Sequence, residues 1–221
     1  MIRESQSIHV ITSGTLGQCW MEISALILSE GCPARYDGAP ILEITRLTSV
    51  VEHPDPEDAF IKAHGDPDWL AWMHANFFVQ GEVKELGNAA SYAVRLFNYA
   101  GSGRDQIQWA ADRLKAQPGA RSAAITTFQP LTDTSYIPCI SLLDFWIPDG
   151  EPGLELIVYA HSLDFGKKAY GNLVELASLQ QIVARQLDLP LGRLIIHVKT
   201  AHIYEPEWEY MRRLVGTVNP G

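Results

Sequence analysis

The chain has 221 residues, of which 47% are hydrophobic and 19% charged, with six tryptophans. That length and apolar content suit one domain spanning residues 1–221 and argue against a disordered chain. The net charge of -9 disfavours a nucleic-acid polymer as partner, because backbone phosphates need clustered Lys and Arg.

A single phosphorylated ligand needs only a local basic pocket, so the overall acidity does not exclude one. The three cysteines, Cys19, Cys32 and Cys139, form no C-x-x-C pair and no Cys/His ligand spacing, which disfavours a disulfide scaffold and a metal site. No apolar run reaches the ~18 residues of a membrane span, and the N-terminus lacks the basic and apolar regions of a signal peptide. A cytoplasmic protein with reduced thiols and no membrane partner is expected.

In chain order, Leu16, Trp20, Ile23, Ile27 and Leu28 recur at roughly helical spacing and predict a helix over Ser13–Ser29, ended by Gly31-Cys32-Pro33. The β-branched stretch Ile41–Val51 predicts one or two strands, and His53–Glu57 a turn. Asp66-Pro67-Asp68 opens a second helix, with aspartates suited to its positive end. Arg104–Gln117 reads as a helix closed by Pro118-Gly119. Ser122–Phe128 and Ile137–Ile147 read as strands separated by a Thr132–Ser135 turn, and the Pro148–Gly153 loop leads into a strand at Leu154–Ala160. Leu173–Leu187 carries the clearest apolar stripe and predicts a buried helix. Leu194–Val198 reads as a last strand. Strands in the second half with helices before and between them indicate an α+β fold, one bent sheet packed against helices.

Chemistry-bearing side chains concentrate in the last third. They are Cys139 in Ile137-Pro138-Cys139, the run His161-Ser162-Leu163-Asp164, then Asn172, and finally His202 and Tyr204 in Ala201-His202-Ile203-Tyr204. Taken singly, each has a plain structural reading. A cysteine between apolar residues is ordinarily inert, an asparagine at a helix start is ordinarily a cap, and a strand aspartate is often a buried, hydrogen-bonded carboxylate. Taken together, their order and spacing resemble the thymidylate synthase family, and in particular its short archaeal-type form. Asn172 follows His161 by eleven positions, and His202 follows Asn172 by thirty.

The resemblance implies a thymidylate synthase-like bent mixed sheet that dimerises through the sheet. It also implies roles. Cys139 would attack C6 of a pyrimidine, a Michael addition suited to a thiolate. Asn172 would accept from N3–H and donate to O4, the pattern of a uracil edge, where relatives acting on cytosine tend to carry Asp. Tyr92 would shape the proton-transfer side of the site. His202 and Tyr204, alternating on one face of an extended segment, would bind the sugar hydroxyl. Arg35, in the setting Arg35-Tyr36-Asp37-Gly38, together with Arg121, His161 and Ser162, would form the phosphate site, with Arg121 reaching across a homodimer. Asp164 would contact the pterin of 5,10-methylenetetrahydrofolate.

Departures from the family pattern are equally specific. Ser122 stands where a second arginine of an Arg-Arg pair is expected, and His161 replaces the arginine of an Arg-Ser-x-Asp strand. Neither substitute offers arginine's bidentate fork. Lys167 and Lys168 replace part of the folate wall, and Ile140 stands where a histidine follows the family cysteine. The catalytic glutamate of the family has two candidates here, Glu52 and Glu57. Similarity is best from about Arg104 to Tyr210. The stretch beyond Tyr204 is shorter than in bacterial and eukaryotic members, which close over folate with their C-terminus. The activity implied is folate-dependent C5 methylation of a dUMP-like nucleotide. Two alternatives stay open: C5 hydroxymethylation, and nucleotide binding without folate chemistry.

Overall fold

The computed structural model describes residues 8–134 and 136–218. A short strand, β1 (His9–Ser13), leads into helix α1 (Leu16–Glu30). Thr15 sets the start of that helix: its hydroxyl accepts from the Gln18 N–H at 3.2 Å and satisfies one of the open donors. Leu16, Trp20, Ile23 and Ile27 are all buried along one stripe, as their spacing predicts. The strand expected at Ile41–Val51 is the greater part of β3 (Ala39–Val51). It pairs antiparallel with β2 (Cys32–Tyr36) through the two-residue turn Asp37-Gly38. Both turn residues have positive φ, 48° and 79°, the geometry an Asp-Gly hairpin loop supplies.

Helix α2 (Ala59–His64) precedes α3 (Pro67–Phe78), the helix expected after Asp66. The Asp66 carboxylate accepts from the N–H groups of Asp68 and Trp69 at 2.9 and 3.2 Å, with Pro67 in the first helical turn. A two-stranded ribbon, β4 (Glu82–Val83) and β5 (Ala89–Ala90), leads to α4 (Tyr92–Phe97) and α5 (Gln106–Ala116). The second half contains β6 (Ala124–Thr126), β7 (Ile140–Trp146), β8 (Leu154–Ala160) and β9 (Leu163–Asp164), then α6 (Ala169–Gln186), β10 (Leu191–Tyr204) and α7 (Trp208–Val218).

Four boundaries differ from expectation. The strand expected over Ser122–Phe128 shrinks to β6. β7 begins at Ile140, so Cys139 lies just before the strand rather than within it. Helix α6 starts at Ala169, which places Asn172 inside its first turn. The short strand expected at Leu194–Val198 is the middle of β10, 14 residues long, and that strand carries His202 and Tyr204. The turn expected at Thr132–Ser135 ends on Ser135, which lies outside the described residues.

β10 is the axis of the mixed sheet. It pairs antiparallel with β3 along most of its length, parallel with β8 over Leu191–Val198, and parallel with β9 at Ala201 and His202. The order β1-β3-β10-β8-β7-β6 completes the sheet. Helix α1 packs on β3 and β10, and α6 on β8 and β10. This helical layer covers the inward side chains Leu47, Leu143, Phe145, Val158 and Ile196. On the other face Leu142, Trp146 and Tyr159 alternate outward and are exposed. Among the described residues no helix is long and apolar enough to cross a membrane.

One buried ion pair ties the middle of the chain together. Arg95, on α4 and only 2% exposed, donates to both carboxylate oxygens of Asp133 at 2.7 and 2.8 Å. It also donates to the carbonyls of Thr127 at 2.8 Å and Ala90 at 3.0 Å. Every side of the guanidinium is thereby used, as a buried charge requires. Asp133→Ala leaves that charge without its counter-ion and should cost about 3–5 kcal/mol in urea unfolding. A loss below about 1 kcal/mol would mean that the three carbonyl and carboxylate anchors are not acting as one unit.

Candidate active site

A cavity of about 190 Å³ opens between the end of the sheet and helices α3, α4 and α6. Seven of the residues singled out from the sequence line it: Tyr92, Cys139, Ser162, Asp164, Asn172, His202 and Tyr204. They arrive on several pieces of local structure, with His202 and Tyr204 sharing β10. Cys139 closes the segment before β7, and its carbonyl accepts from the His161 N–H at 2.9 Å, so the loop after β8 braces the thiol's backbone. One residue on, the Ile140 N–H donates to the Tyr92 hydroxyl at 2.9 Å. Tyr92 is itself fixed by stacking on Phe77 at 4.5 Å and by its own N–H, which donates to Asn76 Oδ1 at 3.1 Å.

Asn172 is buried in the first turn of α6, and its Nδ2 contacts Met73 Sδ at 3.3 Å. A thioether is a weak acceptor, so this amide remains free to trade it for a better partner. His202 and Ser162 are paired, with 3.3 Å between Nδ1 and Oγ. The rings of His202 and Tyr204 meet edge-on at 5.0 Å, and Tyr36 approaches His202 at 5.6 Å.

Burial dominates the electrostatics. It pushes the Cys139 thiol above its ordinary value, while Lys168 draws it down and Asp164 pushes it further up. Burial also raises the Asp164 carboxyl to about 6, although the Gly166 N–H donates to it at 3.0 Å. His202 is lowered to about 4, first by burial and then by Lys168, so its imidazole is neutral near pH 7. Tyr92 is driven well up by burial and keeps its phenolic proton.

Three candidates stand apart from the cavity. Arg35 lies on β2 rather than in a loop, is exposed, and donates to the Gly38 carbonyl. The His161 imidazole is half-buried outside the cavity, its pKa lowered by burial and by Lys199. Arg121 lines a separate depression beside Asp144 and Trp146. Neither glutamate candidate lines the cavity either. Glu57 is an exposed side chain paired with Lys62, and Glu52 follows the end of β3 with its N–H on the Ser13 carbonyl.

The residues that sequence reasoning missed are mostly wall. Trp72, Met73 and Asn76 come from one face of α3, Tyr36 and Asp37 from the end of β2 and its turn, and Leu86, Tyr136 and Leu163 complete them; Lys168, expected at the folate wall, lines the cavity too. The Asp-Gly pair was a usable turn signal for Asp37, and the Trp72, Met73, Asn76 spacing was a usable helix-face signal.

The sequence pattern of the thymidylate synthase family matches residues 55–217, about three quarters of the chain. The chain belongs to the thymidylate synthase family. A protein of Methanosarcina mazei bearing the name "Putative thymidylate synthase" is 32% identical over 218 residues, covering 96% of each chain. One of the same name from Methanosarcina barkeri is 27% identical over 220 residues, again 96% of each. The thymidylate synthase of varicella-zoster virus is 35% identical over 144 residues, 60% of this chain and 47% of the viral one. Similarity to the family thus starts well before Arg104, where the motifs alone had located it. The mixed sheet packed against helices agrees with the fold expected of a thymidylate synthase.

The two most perturbed groups respond to acid in opposite senses. Neutral His202 resists protonation in the folded state, so its contribution is present above its unfolded value of about 6.5 and is lost as pH falls towards 4. Asp164 holds a proton more tightly when folded, so between about 6 and 3.8 it adds stability on acidification. Asp164→Asn removes the second effect and leaves the first. The variant's Tm should therefore fall more steeply than wild type between pH 6 and 4, by roughly 2–3 kcal/mol of extra stability loss. Parallel Tm curves would refute the Asp164 assignment.

Proposed function

We propose that the protein carries out folate-dependent C5 methylation of a uridine nucleotide of the dUMP type. The observation that carries this reading is the convergence of one thiol, one buried amide and the His202–Tyr204 pair on a single cavity. In the proposed cycle the Cys139 sulfur uses an electron pair to bond C6 of the pyrimidine, and the displaced C5=C6 pair makes C5 nucleophilic. Loss of the C5 proton and re-formation of the double bond later expel the thiolate. Asn172 reads the base by accepting from N3–H and donating to O4, giving up its contact with Met73. Neutral His202 and Tyr204 bind the sugar hydroxyl, with Ser162 setting the imidazole. Tyr92, protonated and anchored to Ile140, keeps the residue after the nucleophile in place.

The residues present suit a reduced folate. Asp164 offers a buried carboxyl to ring N–H groups, and Trp72 and Leu86 provide apolar wall in the same cavity. When bound, 5,10-methylenetetrahydrofolate supplies the one-carbon unit and, for methylation, the hydride. Hydroxymethylation is the second reading. It is favoured by Lys168 in the cavity wall, since a wetter wall admits water to the exocyclic carbon.

Homodimerisation through the outer face of the sheet belongs to the same proposal. Leu142, Trp146 and Tyr159 are exposed there, and Arg121 lines a depression with Trp146 and Ile157, outside its own cavity. That position suits delivery of a guanidinium to a neighbouring subunit's phosphate, together with Arg35 and Ser162.

The decisive experiment is intact-mass spectrometry after incubation with 5-fluoro-dUMP, with and without methylenetetrahydrofolate. A folate-dependent mass gain mapped to Cys139, and absent in Cys139→Ala, is expected. A gain without folate would leave nucleotide binding alone, and no gain would reject dUMP. Product mass from the unmodified substrate separates methyl from hydroxymethyl. Asn172→Asp should move kcat/KM preference from dUMP towards dCMP by at least about tenfold, because a carboxylate cannot donate to O4. Unchanged preference would remove Asn172 from base reading.

A further inference from the structure

The charged groups of the cavity are unbalanced around the thiol. Lys168 is the single lysine or arginine among the described lining residues, against the carboxylates of Asp37 and Asp164. Its ammonium lies 5.5 Å from the ring centroid of Trp69 and 5.7 Å from that of Trp72. Two indole faces therefore hold a half-buried cation at the cavity wall, where its long side chain would otherwise turn to solvent. The neighbouring Lys167 differs: it is exposed, sits 4.8 Å from Trp69 only, and does not line this cavity.

The remaining titratable groups facing Cys139 carry no positive charge at neutral pH. From α4 and the segment before β7 come the phenols Tyr92 and Tyr136, and from the hairpin turn Tyr36. β10 contributes Tyr204 and neutral His202, and α3 contributes only Trp72, Met73 and Asn76. The three basic side chains singled out from the sequence, Arg35, Arg121 and His161, all stand outside the cavity. A thiolate formed there has one cation to face.

We propose that Lys168 is the positioning cation of the site, holding the negative charge of the Cys139 sulfur as the thiolate forms and again as it leaves. Its influence runs in the senses this requires: the same ammonium favours the Cys139 thiolate and opposes protonation of His202. Asp164 acts on the thiol in the opposite direction. The proposal rests on Cys139 being the nucleophile.

The test reads the thiol directly, without nucleotide or folate. Iodoacetamide alkylates the thiolate: sulfur displaces iodide, an S–C bond forms, and the thiol's proton has already passed to buffer. The rate at Cys139, followed by peptide mass so that Cys19 and Cys32 are scored separately, is measured from pH 6 to 10.5. Lys168→Met and Lys168→Gln should each raise the midpoint by about one unit, slowing alkylation at pH 8 about tenfold. Lys168→Arg should restore it, Asp164→Asn should shift it the other way, and Lys167→Met should leave it in place. Circular dichroism and Tm identify any variant that fails to fold, and the second uncharged substitution then carries the measurement. A midpoint unmoved in folded Lys168→Met or Lys168→Gln, with wild-type Cys139 still reacting, overturns the role of Lys168 and leaves the nucleophile standing. Absence of any alkylation at Cys139 in the wild type across this range overturns both.

Discussion

The arrangement of the site depends on the buried Arg95 guanidinium. A fully desolvated positive charge must find partners for its donors, and all three nitrogens of this one donate, to three separate segments: the ribbon at Ala90, the end of β6 at Thr127, and the loop at Asp133. Gln106, at the start of α5, closes the set by donating to the Arg95 carbonyl at 2.8 Å and to the Thr126 carbonyl at 2.7 Å. Three residues before Arg95 on the same short helix, Tyr92 reaches Ile140, so the helix that carries the charge also holds the start of β7. The nucleophile candidate is thus positioned by polar contacts that lie behind it. Apolar packing alone would leave the segment before β7 free to slide, because Cys139 itself is not in the sheet ladder.

Within the cavity, low dielectric is used to keep groups neutral rather than to pair them. His202 loses its proton, Tyr92 and Tyr204 keep theirs, and the Asp164 carboxyl is raised to about 6. Neutral donors and acceptors suit recognition of an uncharged base edge and a sugar hydroxyl, for which a full charge would add desolvation cost without adding selectivity. The carboxylate Asp37 sits oddly in a site meant for a nucleotide. It is there because the hairpin turn needs left-handed residues, and Asp-Gly is the pair that accepts them most readily. Its place is set by backbone geometry, whatever it does to a ligand.

What could be read in the sequence follows from how locally each feature is encoded. Cys139, Asn172, His202 and Tyr204 were legible because sheet and helix spacing carry them to one end of β10 and α6, and their intervals survive as a pattern. α1 and α3 were legible because their caps and apolar stripes are local. β10 was read too short because its middle is bounded by Arg193 and by polar Lys199 and Thr200; these point outward or lie where the pairing changes. α2 and α4, six residues each, have no room for a periodic signal. The far wall of the cavity was illegible for another reason. Trp72, Met73 and Asn76 meet Cys139 only through tertiary packing of α3 against α6, and nothing in their spacing names that neighbour.

The phosphate end of the proposed substrate shows the limit of a single chain. Among the described residues the cavity offers one ammonium, and it lies over the rings of Trp69 and Trp72. Arg35 is spent bracing its own hairpin, and His161 faces Lys199, so neither supplies a fork to a dianion without moving. Arg121, by contrast, already lies beside the exposed Leu142 and Trp146 face of the sheet, in a depression it shares with Asp144. An oligomer that buried this face would therefore accomplish two things with one surface. It would cover apolar side chains that a lone sheet leaves in water, and it would complete a phosphate site that the chain by itself leaves short of positive charge.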